Sequence, residues 1–109
     1  MESEHWSKSE KAIARQAFEQ ALKRECASLM EKVRRRARGI AEPNDLWKLH
    51  DFLTKQRRNI DEKYDYRYSV LLFVFARLIG EGWLEEDELA GLSEDKLNRI
   101  RRILEWRNQ

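Results

Sequence analysis

From Ser7 to Arg38 the chain contains neither proline nor glycine. That interval is far too long for a strand. Its apolar residues Phe18, Leu22, Cys26, Leu29 and Val33 recur at steps of four, four, three and four, the spacing of one helix face. Ser7 and Glu10 have the spacing of a capping box, in which the serine oxygen accepts from the N3 amide and the carboxylate reaches back to the cap. About 30 residues at a rise of 1.5 Å make a rod of roughly 45 Å. Such a rod exceeds the usual globular helix and implies a helix pair along its apolar face. Gly39 is placed to end it in a left-handed C-cap.

The remainder also reads as helix. Four Gly and one Pro in 109 residues are too few for the turns of a sandwich or barrel. A second helix is predicted from Leu46 to about Lys63, capped by Asn44 or Asp45 after Pro43. Tyr64–Tyr68 is open: Asp65 could cap a third helix, or the second could continue. Ser69–Ile79 is apolar on nearly every side and predicts a central, buried helix. A strand competes there, because Val70–Phe75 is rich in β-formers, but no second segment offers a strand to pair with. Gly80 and Gly82 end this helix, and a short acidic helix is expected near Glu85–Ala90. Ser93 caps a last helix with Glu94 and Asp95 in its first turn and Arg107 in its last, as the helix dipole favours. Leu97, Ile100, Ile103 and Leu104 form its inner face. The expectation is a single all-α domain over residues 1–109, prone to self-association because so small and elongated a chain buries little of its surface.

Charge narrows the function. Charged residues make up 39% of the chain, against roughly 25% in an ordinary domain. The 22 basic and 20 acidic side chains leave a net +2, too near balance for a dedicated nucleic-acid binder. The balance hides an asymmetry: residues 1–58 hold 14 basic and 9 acidic groups, whereas residues 59–109 hold 8 and 11. Arg34, Arg35, Arg36 and Arg38 are the densest basic cluster, read either as a contact for phosphate or an acidic partner or as a solvated helix end. The lone Cys26 excludes an internal disulfide framework and a cysteine zinc site. It reads as a small apolar filler on a helix, with a redox switch as the alternative. Met1–Lys11 is polar and charged, unlike a signal peptide. The longest apolar run, Val70–Ala76, is too short to cross a bilayer. No nucleophile turn, phosphate loop or paired-histidine metal spacing occurs, so neither an enzyme nor a metal protein is expected.

The second helix carries the functional signal. At 100° per residue from Trp47, the residues Leu49, Phe52, Leu53, Gln56 and Ile60 fall at about 140–240°, with Leu46 near 260°. Asp51, Thr54, Arg58 and Asp61 lie within about 40° of Trp47, His50 within about 60°, and Arg57 near 280°. A tryptophan thus stands on the polar face, ringed by His, Asp and Arg, which is the composition of an interface hot spot. The alternative is that this face packs on another helix of the same chain. From the residues alone, the functional readings are a helical scaffold for a protein partner or a basic helical nucleic-acid binder.

The segment Asp45–Leu53 reads Asp-Leu-Trp-Lys-Leu-His-Asp-Phe-Leu and is followed by Arg57, Ile60, Asp61, Lys63-Tyr64-Asp65, Ser69-Val70 and Phe73-Val74-Phe75-Ala76. It resembles the fluorescence recovery protein family of cyanobacteria, continuously from about Asp45 to Gly82. The resemblance implies an all-helical homodimer with a two-helix stalk, about 8–63, and a small helical head, about 64–107. It implies no cofactor and no covalent chemistry. It implies binding to the C-terminal domain of light-activated orange carotenoid protein in the cytoplasm. It further implies that the partner's return to the orange form is accelerated, that the partner leaves the phycobilisome, and that photoprotective quenching ends. The family's binding patch matches Trp47, His50, Asp51 and Arg57, with Phe73 and Arg99 as further contacts from the head. Stalk packing would use Phe18, Leu22, Leu29 and Val33 against Leu46, Leu49, Leu53 and a second copy, with no membrane insertion and no nucleic acid.

Overall fold

A computed structural model describes residues 5–108. Of the expected extent, positions 1–4 and 109 lie outside the described residues. The elements are α1 (Lys8–Arg38), α2 (Pro43–Lys63), α3 (Leu71–Gly80), a single 3-10 turn (Glu86–Leu89) and α4 (Glu94–Arg107). No strand occurs among the described residues, so the strand alternative for Val70–Phe75 falls away. The capping box is present: Glu10 N–H donates to Ser7 Oγ at 3.1 Å, and Ser7 N–H donates to Glu10 Oε1 at 3.0 Å.

Local chemistry corrects several boundaries. Gly39 has φ −90°, not a left-handed value. The last turn of α1 tightens instead, with Gly39 N–H bonding Arg36 O and Ile40 N–H bonding Ala37 O. α2 starts at Pro43 rather than Leu46, since the ring fixes a helical φ and its missing N–H is an orphan position anyway. Asp45 is therefore inside the first turn, where its carboxylate accepts from the N–H groups of Ala41 and Glu42 at 3.0 and 3.2 Å. Tyr64–Tyr68 neither continues α2 nor opens α3. Asp65 is held by the Arg67 guanidinium and backbone N–H, and Tyr64 and Tyr66 turn inward against Phe18. The end of α3 is a Schellman motif: Trp83 N–H donates to Leu78 O and Gly82 N–H to Ile79 O, with Gly82 at φ +86°.

The molecule is elongated, 54 × 29 × 24 Å with a radius of gyration of 17.1 Å, against about 13 Å for a compact chain of this length. Its core sits entirely at one end. Ala14, Ala17, Phe18 and Ala21 of α1 pack there with Leu71, Leu72, Phe75 and Leu78 of α3, Leu84, Leu89, Leu92, and Ile100 of α4. Gly91, at φ +106°, allows the chain to cross α1 closely, because a Cβ there would fall on Ile13 Cδ1. Phe18, expected on the stalk seam, is instead a head residue, set edge-on to Tyr64 and Tyr66 with ring centroids 5.4 and 4.8 Å away. The reason is that α1 outruns α2. Its first half has no stalk partner and supplies the head's small-residue face. Near the N-terminus His5 is tied to α4: its carbonyl accepts from Lys96 Nζ at 2.6 Å.

Beyond Ala21 the character changes. From Leu22 to Glu62 no residue is fully buried. α1 and α2 fold back as an antiparallel pair, with Lys63 reaching Glu25 at the base and Arg36 stacking on Phe52 towards the tip, 3.9 Å from the ring centroid. Leu22, Leu29, Val33 and Leu49 are half-buried along the seam, while Met30, Leu46 and Leu53 are exposed.

Candidate functional site

The outer surface of α2 carries the strongest signal. Trp47 is 60% exposed, about one turn into α2 from the stalk tip. Large aromatics are usually buried, and no helix of this chain covers this one. The alternative that Trp47 packs on another helix of the same chain is thereby removed. Asp51 lies one turn on, and its carboxylate sits 3.5 Å from His50 Nδ1, both side chains open to water. Arg57 is 3.4 Å from Asp61, again in the open. Such exposed pairs contribute little to stability and leave the charged groups available.

Two of these residues also border a groove. His50 and Arg57 line a cleft of about 470 Å³ between α1 and α2 with Cys26, Leu29, Leu53, Thr54 and Ile60. The Thr54 hydroxyl donates to His50 O at 3.0 Å, which turns it back onto its own helix. Cys26 is half-buried in that groove. It behaves as apolar lining, and among the described residues no group of His, Cys, Asp and Glu side chains has the makings of a metal site.

The two head residues stand apart from this face. Phe73, on α3, is 56% exposed, although its neighbours Leu72 and Val74 are buried. It shares a cleft of about 520 Å³ with Arg99, Arg102, Ile103, Trp106 and Arg107. Phe73 and Arg99 are therefore brought together, but not to Trp47. Trp47 lies 16 residues up α2 from the head, about 24 Å along the axis. The sequence reading missed Trp106, which is 75% exposed in the same cleft. The signal was available, since Trp106 falls about 180° from Leu97 on the last helix.

These features define an elongated helical protein with exposed aromatics on polar faces and no metal-binding cluster among the described residues. Comparison with known proteins gives the family. The sequence profile of the photoprotection regulator fluorescence recovery protein matches residues 6–104. Fluorescence recovery protein of Synechocystis sp. is 44% identical over 98 residues, covering 90% of both chains. The solved structure of the Fremyella diplosiphon fluorescence recovery protein superposes with a TM-score of 0.86 at 50% identity, covering 91% of this chain and 97% of that one. The Synechocystis structure gives 0.88 at 42% identity, covering 93% and 99%. The chain belongs to the fluorescence recovery protein family of photoprotection regulators. No described helix is long and apolar enough to cross a membrane.

Proposed function

We propose that this chain is a homodimeric regulator that acts by binding, without covalent chemistry or cofactor. It folds as one unit in the cytoplasm. There it binds the C-terminal domain of light-activated orange carotenoid protein, speeds that partner's return to the orange form and promotes its release from the phycobilisome. The observation that carries this reading is Trp47, exposed on the face of α2 away from α1 and flanked by exposed His50, Asp51 and Arg57. An aromatic anchor inside a polar, charged ring is the usual centre of a protein interface. Phe73 and Arg99 in the head cleft form a second contact area. The dimer is supported by the strip of Met30, Leu46 and Leu53, whose exposure on an otherwise thin stalk leaves apolar surface for a second copy to cover. To accelerate relaxation, the protein must hold an intermediate or transition state on the return path more tightly than the red form, because equal affinity for all states moves nothing.

The test is to bind photoactivated carotenoid protein to Trp47→Ala and Asp51→Ala. Weaker binding, with helicity by circular dichroism unchanged, supports the patch. Folded variants that keep full affinity would remove it.

A further inference from the structure

Several basic side chains of the head and its joint with the stalk are paired with carboxylates of the same chain. Lys63 meets Glu25 and Glu81, Lys96 meets Glu10, Arg24 meets Glu88, and Arg101 meets Glu86. The stalk tip is built differently. Residues 31–58 hold nine Lys and Arg against four Asp and Glu, so the whole excess of the first half of the chain sits there. The one carboxylate in the last two turns of α1, Glu31, is shared by Arg34 and Arg38 at 3.7 and 3.8 Å. Among the described residues, no carboxylate pairs with Lys32, Arg35 or Arg36. Those three line an open cleft of about 440 Å³ with Phe52. The Arg36 guanidinium lies over the Phe52 ring, an arrangement that holds the charge at the cleft mouth in a fixed place. Lys48 and Lys55, at i−4 and i+3 from Phe52, share its side of α2.

We infer that this cleft is a second docking surface, which receives an acidic segment of the protein partner that Trp47 anchors. The inference rests on the reading under Proposed function and adds the chemistry of the partner's surface beside the anchor. Phe52 is five residues from Trp47 on α2, about 7.5 Å along the axis and about 140° around it. A partner seated on Trp47 therefore overhangs the quadrant that holds Lys48 and Lys55. Carboxylates there meet a cationic surface with no internal counter-charge, so steering costs no broken ion pair. A nucleic acid fits less well. The cleft's one aromatic ring carries the Arg36 guanidinium on it, which occupies a face that a base would stack on. The cleft's role is to raise the encounter rate and fix orientation, while Trp47 sets the lifetime of the complex.

Association and dissociation of the photoactivated carotenoid protein would be followed by stopped flow between about 50 and 500 mM salt. Three chains are compared: the wild type, Lys32→Gln/Arg35→Gln/Arg36→Gln, and Trp47→Ala. All three substituted residues of the triple variant are exposed on α1, and circular dichroism confirms each fold. The expected result is that the triple variant associates roughly 3- to 10-fold more slowly at low salt, with a flatter salt dependence and an unchanged dissociation rate. Trp47→Ala is expected to dissociate faster and keep the wild-type salt slope. Equal rates and slopes for the wild type and the triple variant overturn the docking surface and leave the Trp47 patch standing. No binding by the wild type at any salt overturns both. Tighter capture of a short DNA duplex than of the carotenoid protein, lost in the triple variant, assigns the cleft to nucleic acid and overturns the inference as stated.

Discussion

Lys63 Nζ donates to Glu25 Oε2 at 2.6 Å, joining the last turn of α2 to the middle of α1, with the lysine side chain only 5% exposed. The same ammonium reaches Glu81 at 2.6 Å, and the Tyr64 hydroxyl donates to the other oxygen of Glu25 at 2.8 Å. This is the joint between stalk and head. Burial opposes the charge on Glu81, but hydrogen bonds from Lys63 and Arg77 hold its carboxyl below the ordinary value. Removing Lys63 leaves Glu25 without its counter-ion in a half-buried site and Glu81 with Arg77 alone. Lys63→Met is expected to lower stability by about 3 kcal/mol, read from the midpoint of urea unfolding.

Phe18 and Leu53 separate head from stalk. Phe18 is buried against Tyr64 and Tyr66, so Phe18→Ala should cost about 3–5 kcal/mol. Leu53 is exposed, and Leu53→Ala should change the unfolding of the monomer by less than about 1 kcal/mol. Parallel denaturation curves, taken at a concentration where the chain is monomeric, check the contrast. Equal losses would place the core elsewhere.

The exposed Met30, Leu46 and Leu53 give a test of the proposed dimer. Leu53→Glu sets a charge in that strip, where a second copy would have to desolvate it. Sedimentation velocity is expected to give twice the chain mass for the wild type and the single chain mass for the variant, at unchanged helicity. A variant that stays dimeric would move the dimer seam to another face.

Glu10 makes the fold acid-sensitive. The Ser7 N–H, working against burial and joined by the Ser93 N–H and Lys96, lowers its carboxyl from 4.5 to about 2. A group whose pKa is depressed by folding contributes stability that is complete above its unfolded value and lost as pH falls through its folded value. Stability should therefore drop between about pH 4.5 and 2. Glu10→Gln should flatten, without abolishing, that slope, since Glu81 and Glu88 are lowered too. Urea midpoints at stepped pH give the comparison.

Much of this was readable before any coordinates. The capping box and the unbroken interval to Arg38 defined α1 because both are local chemistry. Trp47 stood out because a 100° step needs no tertiary information to put it opposite the apolar stripe. Phe18 was misplaced because periodicity says which face a residue occupies but not how far the partner helix extends. Tyr64–Tyr68 was ambiguous because the choice lay between a cap on a third helix and a continuation of the second, and only the Asp65–Arg67 pair and the inward turn of Tyr64 and Tyr66 gave a third answer. Trp106 is a different case: its angle on the last helix is legible, but the cleft with Phe73 exists only once α3 and α4 are docked.

The most direct measurement is the dark relaxation of photoactivated orange carotenoid protein from red to orange, timed by absorbance with and without this chain. The expected result is faster relaxation at ratios below equimolar, lost with Trp47→Ala. Unchanged relaxation in the presence of folded, dimeric protein would contradict the proposed role.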